Sequence, residues 1–273
     1  GEMQADFQEG RFELTKDKYV IEDVALSAHL PALPKFRTGA NQEFRFNKAT
    51  FGQLVFTEGR INWQLESADS FYINNSIFQW AGGNIQVNDV RLILGKDEQF
   101  ITIVCKELDL IEMLQQFGIK NAEGEGSVSG KIPVHLGRNS IKFDNGLLSS
   151  KEGEGGRIKI GAFDLLSAGI PKNTPQFAQV DFAAEALKNF NYNWVKLFLN
   201  SEGEDFIIQM QLYGEPVQSL PFTYDSSTGQ LKRTEDAKQG INQPIRLDVN
   251  FRFPLNRFLG YSGKIQDIME KIK

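Results

Sequence analysis

The sequence predicts a mainly β protein: an elongated, curled antiparallel sheet shaped like a groove, carrying two or three short helices. Short runs alternate apolar and polar residues at period two, which places one set of side chains on a shared face. Turn formers separate these runs at short intervals, and helical patterns do not alternate with them. That combination reads as a meander of antiparallel strands rather than as parallel βα units.

Taken in order, the first strands are expected around residues 11–14 and 19–30, ended by Pro31 and Pro34, because proline cannot donate into a ladder. Phe44-Arg45-Phe46, Ile61 to Leu65, Phe71-Tyr72-Ile73, Phe78-Gln79-Trp80, Ile85-Gln86-Val87 and Leu92-Ile93-Leu94 follow as strands. Glu58-Gly59, Asn74-Asn75, Gly82-Gly83 and Gly95-Lys96-Asp97 supply turn chemistry between them. Residues 108–117 set Leu110, Met113, Leu114 and Phe117 on one helical face, with Gly118 as the stop. Gln176 to Phe190 carries a second stripe, and Ile265 to Ile272 a third; packing against the sheet is the expected role of each.

The glycine-rich passage Glu123 to Val134 has the wrong spacing for a phosphate loop and carries glutamates that would repel phosphate, so it reads as turn, then strand. Tyr224 to Gly240 is expected as a mobile loop. The chain divides into groove strands over 1–160 and a helix-plus-strands portion over 161–273 that continues the same sheet.

Composition narrows the function. The chain holds 22 Phe against 6 Tyr, so most of its aromatic surface carries no hydroxyl and needs an apolar partner, either a core or an apolar cavity. A formal charge of -5 argues against nucleic acid as a partner. No apolar run approaches the roughly 18 residues of a membrane span. A single cysteine, Cys105, excludes an internal disulfide and leaves the compartment open.

Signs of chemistry are few. His29 and His135 stand in no metal spacing, Cys105 ends an apolar strand, and neither G-x-S-x-G nor H-E-x-x-H occurs. Glu202, Glu204 and Asp205 lie in a turn-like run, better explained by solvation than by acid–base work. The expectation is a protein that is not an enzyme, with no metal and no cofactor.

Several patches, in order, resemble the carboxy-terminal region of the YdbH-like proteins, within the wider AsmA-like group of bacterial envelope proteins. Phe71 to Gly83 resembles the family's strand pair joined by a Gly-Gly turn. Lys106 to Leu110, followed by Gly124 to Val134, is similar to its strand, Asp-Leu helix start and glycine-rich strand. Ile141 to Leu148 looks like a strand closing on an Asn-Gly turn. Ala186 to Tyr192, with Val195 to Leu199, Ile207 to Gly214 and Pro244 to Phe253, resembles the final helix and strands. Gly214-Glu215-Pro216 departs from the family's usual G-x-N-P, and the insert from Val217 to Gln243 is long.

The resemblance implies a periplasmic protein anchored to the inner membrane by an amino-terminal segment outside this sequence. It further implies a curled sheet whose concave face holds phospholipid tails for transport between inner and outer membranes. An outer-membrane or periplasmic partner would meet the carboxy-terminal end. The domain has also carried a "dicarboxylate transport" label, for which the sequence offers no basic pocket. On this reading Phe44, Phe46, Phe56, Trp63, Phe71, Ile73 and Trp80 are the candidates for the groove lining. The alternative is a structural or adhesive β-sandwich with these aromatics in a closed core between two sheets.

Overall fold

The computed structural model describes residues 1–14, 19–31, 36–137, 140–161, 170–171, 174–225, 227, 230–235 and 240–254. The expected helix at Ile265 to Ile272 lies outside the described residues. The strands are β1 (Met3–Leu14), β2 (Tyr19–Leu30), β3 (Gln42–Phe51), β4 (Leu54–Ser67), β5 (Ser70–Trp80), β6 (Gly83–Ile93) and β7 (Glu98–Asp109). After helix α1 (Leu110–Gln116) come β8 (Ala122–Glu125), β9 (Ser127–Gly137), β10 (Ile141–Phe143), β11 (Gly146–Ser149) and β12 (Gly156–Ile160). Helix α2 (Pro175–Leu187) leads to β13 (Phe190–Glu202) and β14 (Asp205–Pro216), then β15 (Phe222–Tyr224), β16 (Leu231–Arg233) and β17 (Ile245–Phe253).

Fifteen of these strands form one antiparallel sheet, and β15 with β16 forms a separate hairpin. From β1 to β7 each strand pairs with the next in the chain, so the order in space is the order in sequence. Beyond β7, β10 pairs with β9, β11 lies between β9 and β13, β12 lies between β8 and β13, and β14 and β17 finish the sheet. One large sheet results, where the sandwich alternative expects two packed against each other.

Strands this long would twist but stay open without a device to bend them. The bends come from acidic residues at positive φ: Glu9, Asp23, Glu58, Asp89 and Glu107. All five are exposed, and each is followed by a buried residue: Gly10, Val24, Gly59, Val90 and Leu108. The ladder shifts register beside Glu9, Asp23, Glu58 and Glu107, and skips Asp89 without a shift. A bulge of this kind bends the strand and strengthens its local twist. Gly10 pairs with Val24 and Phe46 with Gly59, which sets the first bends along one crease across β1 to β4. Glycine is required there for a second reason. A Cβ on Gly10 would strike the Phe7 ring, and one on Gly59 the Phe46 ring, because each ring lies flat across the crease.

The carboxy-terminal half of the sheet is roofed. In α1, Leu110, Met113 and Leu114 are fully buried, and Asp109 caps the helix by accepting the Glu112 amide at 2.7 Å. In α2, with Thr174 as N-cap and Pro175 in its first turn, Ala186 and Leu187 are fully buried. Under them Phe190, Val195, Leu197, Ile208, Met210 and Leu212 are wholly withdrawn from water. The helix stops at Leu187 because Phe190, expected as its last apolar residue, begins β13 instead.

Part of the segment read as a mobile loop is the β15–β16 hairpin, tied to α2 by Arg233. Its guanidinium donates to Asp181 at 2.6 Å and to Glu185 at 3.0 Å, and lies 4.9 Å over the Phe222 ring. Burial would raise the Glu185 carboxyl, but hydrogen bonds from Lys188 and Arg233 outweigh it and hold the group below its ordinary range.

Candidate functional site

The apolar face that is roofed over β9 to β17 continues, unroofed, across β1 to β6. Register places its members. Phe44 pairs with Ile61, Phe46 with Gly59, Phe56 with Trp80, Trp63 with Ile73 and Phe71 with Leu65. Phe56 and Trp63 on β4, and Ile73 and Trp80 on β5, are each seven residues apart, and the register shifts beside Glu58 and Asn74 restore the phase, which puts Phe44, Phe46, Phe56, Trp63, Phe71, Ile73 and Trp80 on one face. Ring contacts connect most of them. Phe44 meets Phe46 at 6.2 Å, Phe46 meets Phe78 at 6.5 Å, and Phe78 meets Phe56 edge-on at 5.4 Å. Phe56 reaches Trp80 at 6.2 Å, while Trp63 stacks on Phe71 at 5.1 Å as a separate pair.

Burial distinguishes this face from the roofed one. Phe190, Phe206 and Phe251 are 0–2% exposed. Phe44, Phe46, Phe56, Trp63, Phe71 and Ile73 are only half-buried, and Phe7 and Phe12 on β1 are 45% and 54% exposed. Trp80 stands apart from the other candidates. It is 6% exposed, lies edge-on to Phe117 at 5.5 Å, and marks the place where the open face runs under α1. Phe78, Phe51, Ile61 and Leu65 belong to the same face and were not among the candidates. Period two supplies Ile61 and Leu65 from Trp63 and Phe78 from Trp80, whereas Phe51 is an odd number of residues from Phe46 and carries no such signal.

The opposite face is polar. Arg45 and Arg60 stand across from each other, with Glu43 between them, and Tyr72 donates to Asp89 at 2.8 Å. At the end of the strands where β4 turns into β5, Arg91 grips Glu66 through two hydrogen bonds at 2.6 and 2.8 Å, and Ser70 adds a third at 3.0 Å. The Arg91 hydrogen bond, above all, holds the Glu66 carboxyl down at about 2. The sheet is thus aromatic on its open face and hydrophilic on the reverse.

Reactive groups are not assembled. Among the described residues, no three His, Cys, Asp or Glu side chains converge as a metal site would require. Cys105 is 1% exposed, and burial pushes its thiol up to about 12, so it is not a thiolate nucleophile in this fold. His29 approaches Glu2 at 3.8 Å and His135 approaches Asp144 at 3.4 Å, each near a single carboxylate at the surface. Glu202 and Asp205 are both held by Arg252, at 2.6 and 2.8 Å, which gives those turn carboxylates a structural role. No helix among the described residues is long and apolar enough to cross a membrane.

No curated protein and no solved structure matches the chain. A family model does, and it covers the open face entirely, from before β1 into β13. Residues 2–204 match the model described as "Intermembrane phospholipid transport protein YdbH", and the chain therefore belongs to the YdbH-like family of intermembrane phospholipid transport proteins.

Proposed function

We propose that this chain holds phospholipid acyl chains on the unroofed aromatic face of β1 to β6, without catalysis, while lipid passes between the inner and outer membranes. One observation carries the reading: a single sheet presents the same apolar alternation throughout, yet helices cover only its carboxy-terminal half. Uncovered aromatic surface on this scale calls for an apolar occupant. Each methylene withdrawn from water is worth about 0.8 kcal/mol. A dozen would give roughly 10 kcal/mol gross, so retention needs no polar anchor.

In this reading the protein works in the periplasm, tethered to the inner membrane through a segment preceding this sequence. An outer-membrane or periplasmic partner receives lipid at the carboxy-terminal end. The test is native mass spectrometry with lipid extraction on protein purified without detergent. Wild type should retain phospholipid, and Phe44→Glu and Phe71→Glu should lose most of it with unchanged circular dichroism. Equal lipid content in well-folded variants would remove these residues from the lining, and a lipid-free wild type would favour a purely structural role.

A further inference from the structure

The open face contains two indoles whose hydrogen bonding differs. Trp80 Nε1 donates to Gln116 Oε1 at 2.8 Å. Trp63 Nε1 is buried and has no acceptor among the described residues. Buried indole N–H groups nearly always find a partner, and an orphan is destabilised by the full loss of its hydration. The surrounding side chains shield this atom from water, and an occupant that parts them can supply the missing acceptor.

Resting on the groove reading, we propose that Trp63 Nε1 donates to an ester carbonyl oxygen of the bound lipid and so sets the depth at which it sits. The position favours this acceptor over others. Along β4, Trp63 lies four residues from the crease at Gly59, about 13 Å at strand rise. It sits between the apolar Ile61 and Leu65, one step inside the hydrophilic edge of Glu66 and Ser70. An amphiphile with its chain on the crease and its head at that edge places its ester linkage at this level. At that edge Arg91 is engaged with Glu66 and Arg37 also acts on Glu66, so a phosphate finds its cations at the edge and not at the depth of Trp63.

The experiment is competition between diester and diether phosphatidylglycerol of equal chain length, the second lacking the carbonyl oxygens, with bound lipid read by native mass spectrometry. Wild type should favour the diester about 2- to 10-fold, the worth of one hydrogen bond. Trp63→Phe should bind both lipids equally, while Trp194→Phe, on β13, keeps the preference. In case Trp63→Phe folds poorly, indole N–H resonances of the wild type give a second reading, since the chain has 3 Trp. One of them should move downfield with the diester and stay in place with the diether. No preference in the wild type, or a preference that survives Trp63→Phe, overturns the assignment to Trp63 and leaves the groove intact. If neither lipid binds, the groove reading itself fails and takes this inference with it.

Discussion

The Oε1 atom of Gln116 on α1 accepts from Trp80 Nε1 at 2.8 Å and also from the Val55 backbone amide at 3.0 Å. One oxygen thereby fastens the helix to both strands at the wall of the open face. Gln116 is itself held by its own donation to Glu112 at 3.1 Å, one helical turn earlier. Gln116→Leu keeps the size of the side chain and leaves two donors without an acceptor. We expect a loss of about 2 kcal/mol in urea denaturation, the cost of stranded buried donors. A loss under about 0.5 kcal/mol would mean that solvent takes over both bonds.

At the crease, Gly59→Val drives a side chain into the Phe46 ring. Overpacking of this kind costs about 1–3 kcal/mol. The pair Gly59→Val with Phe46→Ala should cost less than the sum of the single changes, because the collision is gone. Additive losses in thermal or chemical denaturation would show that the ring does not rest on the glycine.

Glu66 fixes a pH dependence. Its carboxyl is lowered from an ordinary 4.5 to about 2, first through the Arg91 hydrogen bond. A group depressed on folding stabilises the native state above its unfolded value, and that contribution fades as pH falls through the folded value. The Glu66–Arg91 contact should therefore persist through mild acid and release only as pH approaches 2. Carboxyl carbon NMR should give a Glu66 midpoint near 2, moving toward 4.5 in Arg91→Gln; a wild-type midpoint near 4.5 would contradict the geometry.

Cys105 should be silent. Its thiol is buried and pushed up to about 12, so a disulfide reagent at pH 8 should react with native protein only at the rate of unfolding. Adding urea past the unfolding midpoint should release one fast-reacting thiol per chain, in step with the circular dichroism signal. Fast reaction of the native protein would place β7 nearer to solvent than the structure does.

Much of this was legible in the sequence, because a strand lying on a one-sided core must alternate. Phe44-Arg45-Phe46, Phe71-Tyr72-Ile73 and Phe78-Gln79-Trp80 could each be read as half-buried strand from the period, but Phe71 and Ile73 share a face with Phe78 and Trp80 only through the register shift beside Asn74. What alternation cannot reveal is where a strand bends. Glu9, Glu58 and Glu107 adopt positive φ although glutamate has no preference for it, so neighbours dictate the geometry and no local signal exists. Glu58-Gly59 read as a turn for the same reason: the glycine was visible, but its role under the Phe46 ring depends on a different strand. The β15–β16 hairpin read as loop because Asp225 to Gly229 is pure turn chemistry, and its strands are only three residues each. The orphan indole of Trp63 is a matter of what does not surround it, which no pattern of residue types encodes.

The nearest-neighbour order of β1 to β7 also bears on how the protein is made. Every ladder within that stretch joins consecutive strands, so each hairpin can close as soon as its two arms exist. A chain delivered unfolded and end-first across a membrane would not have to hold early strands in reserve for distant partners. Assembly can advance one hairpin at a time, each new strand covering the edge left by the last and shortening the interval in which that edge is free to aggregate.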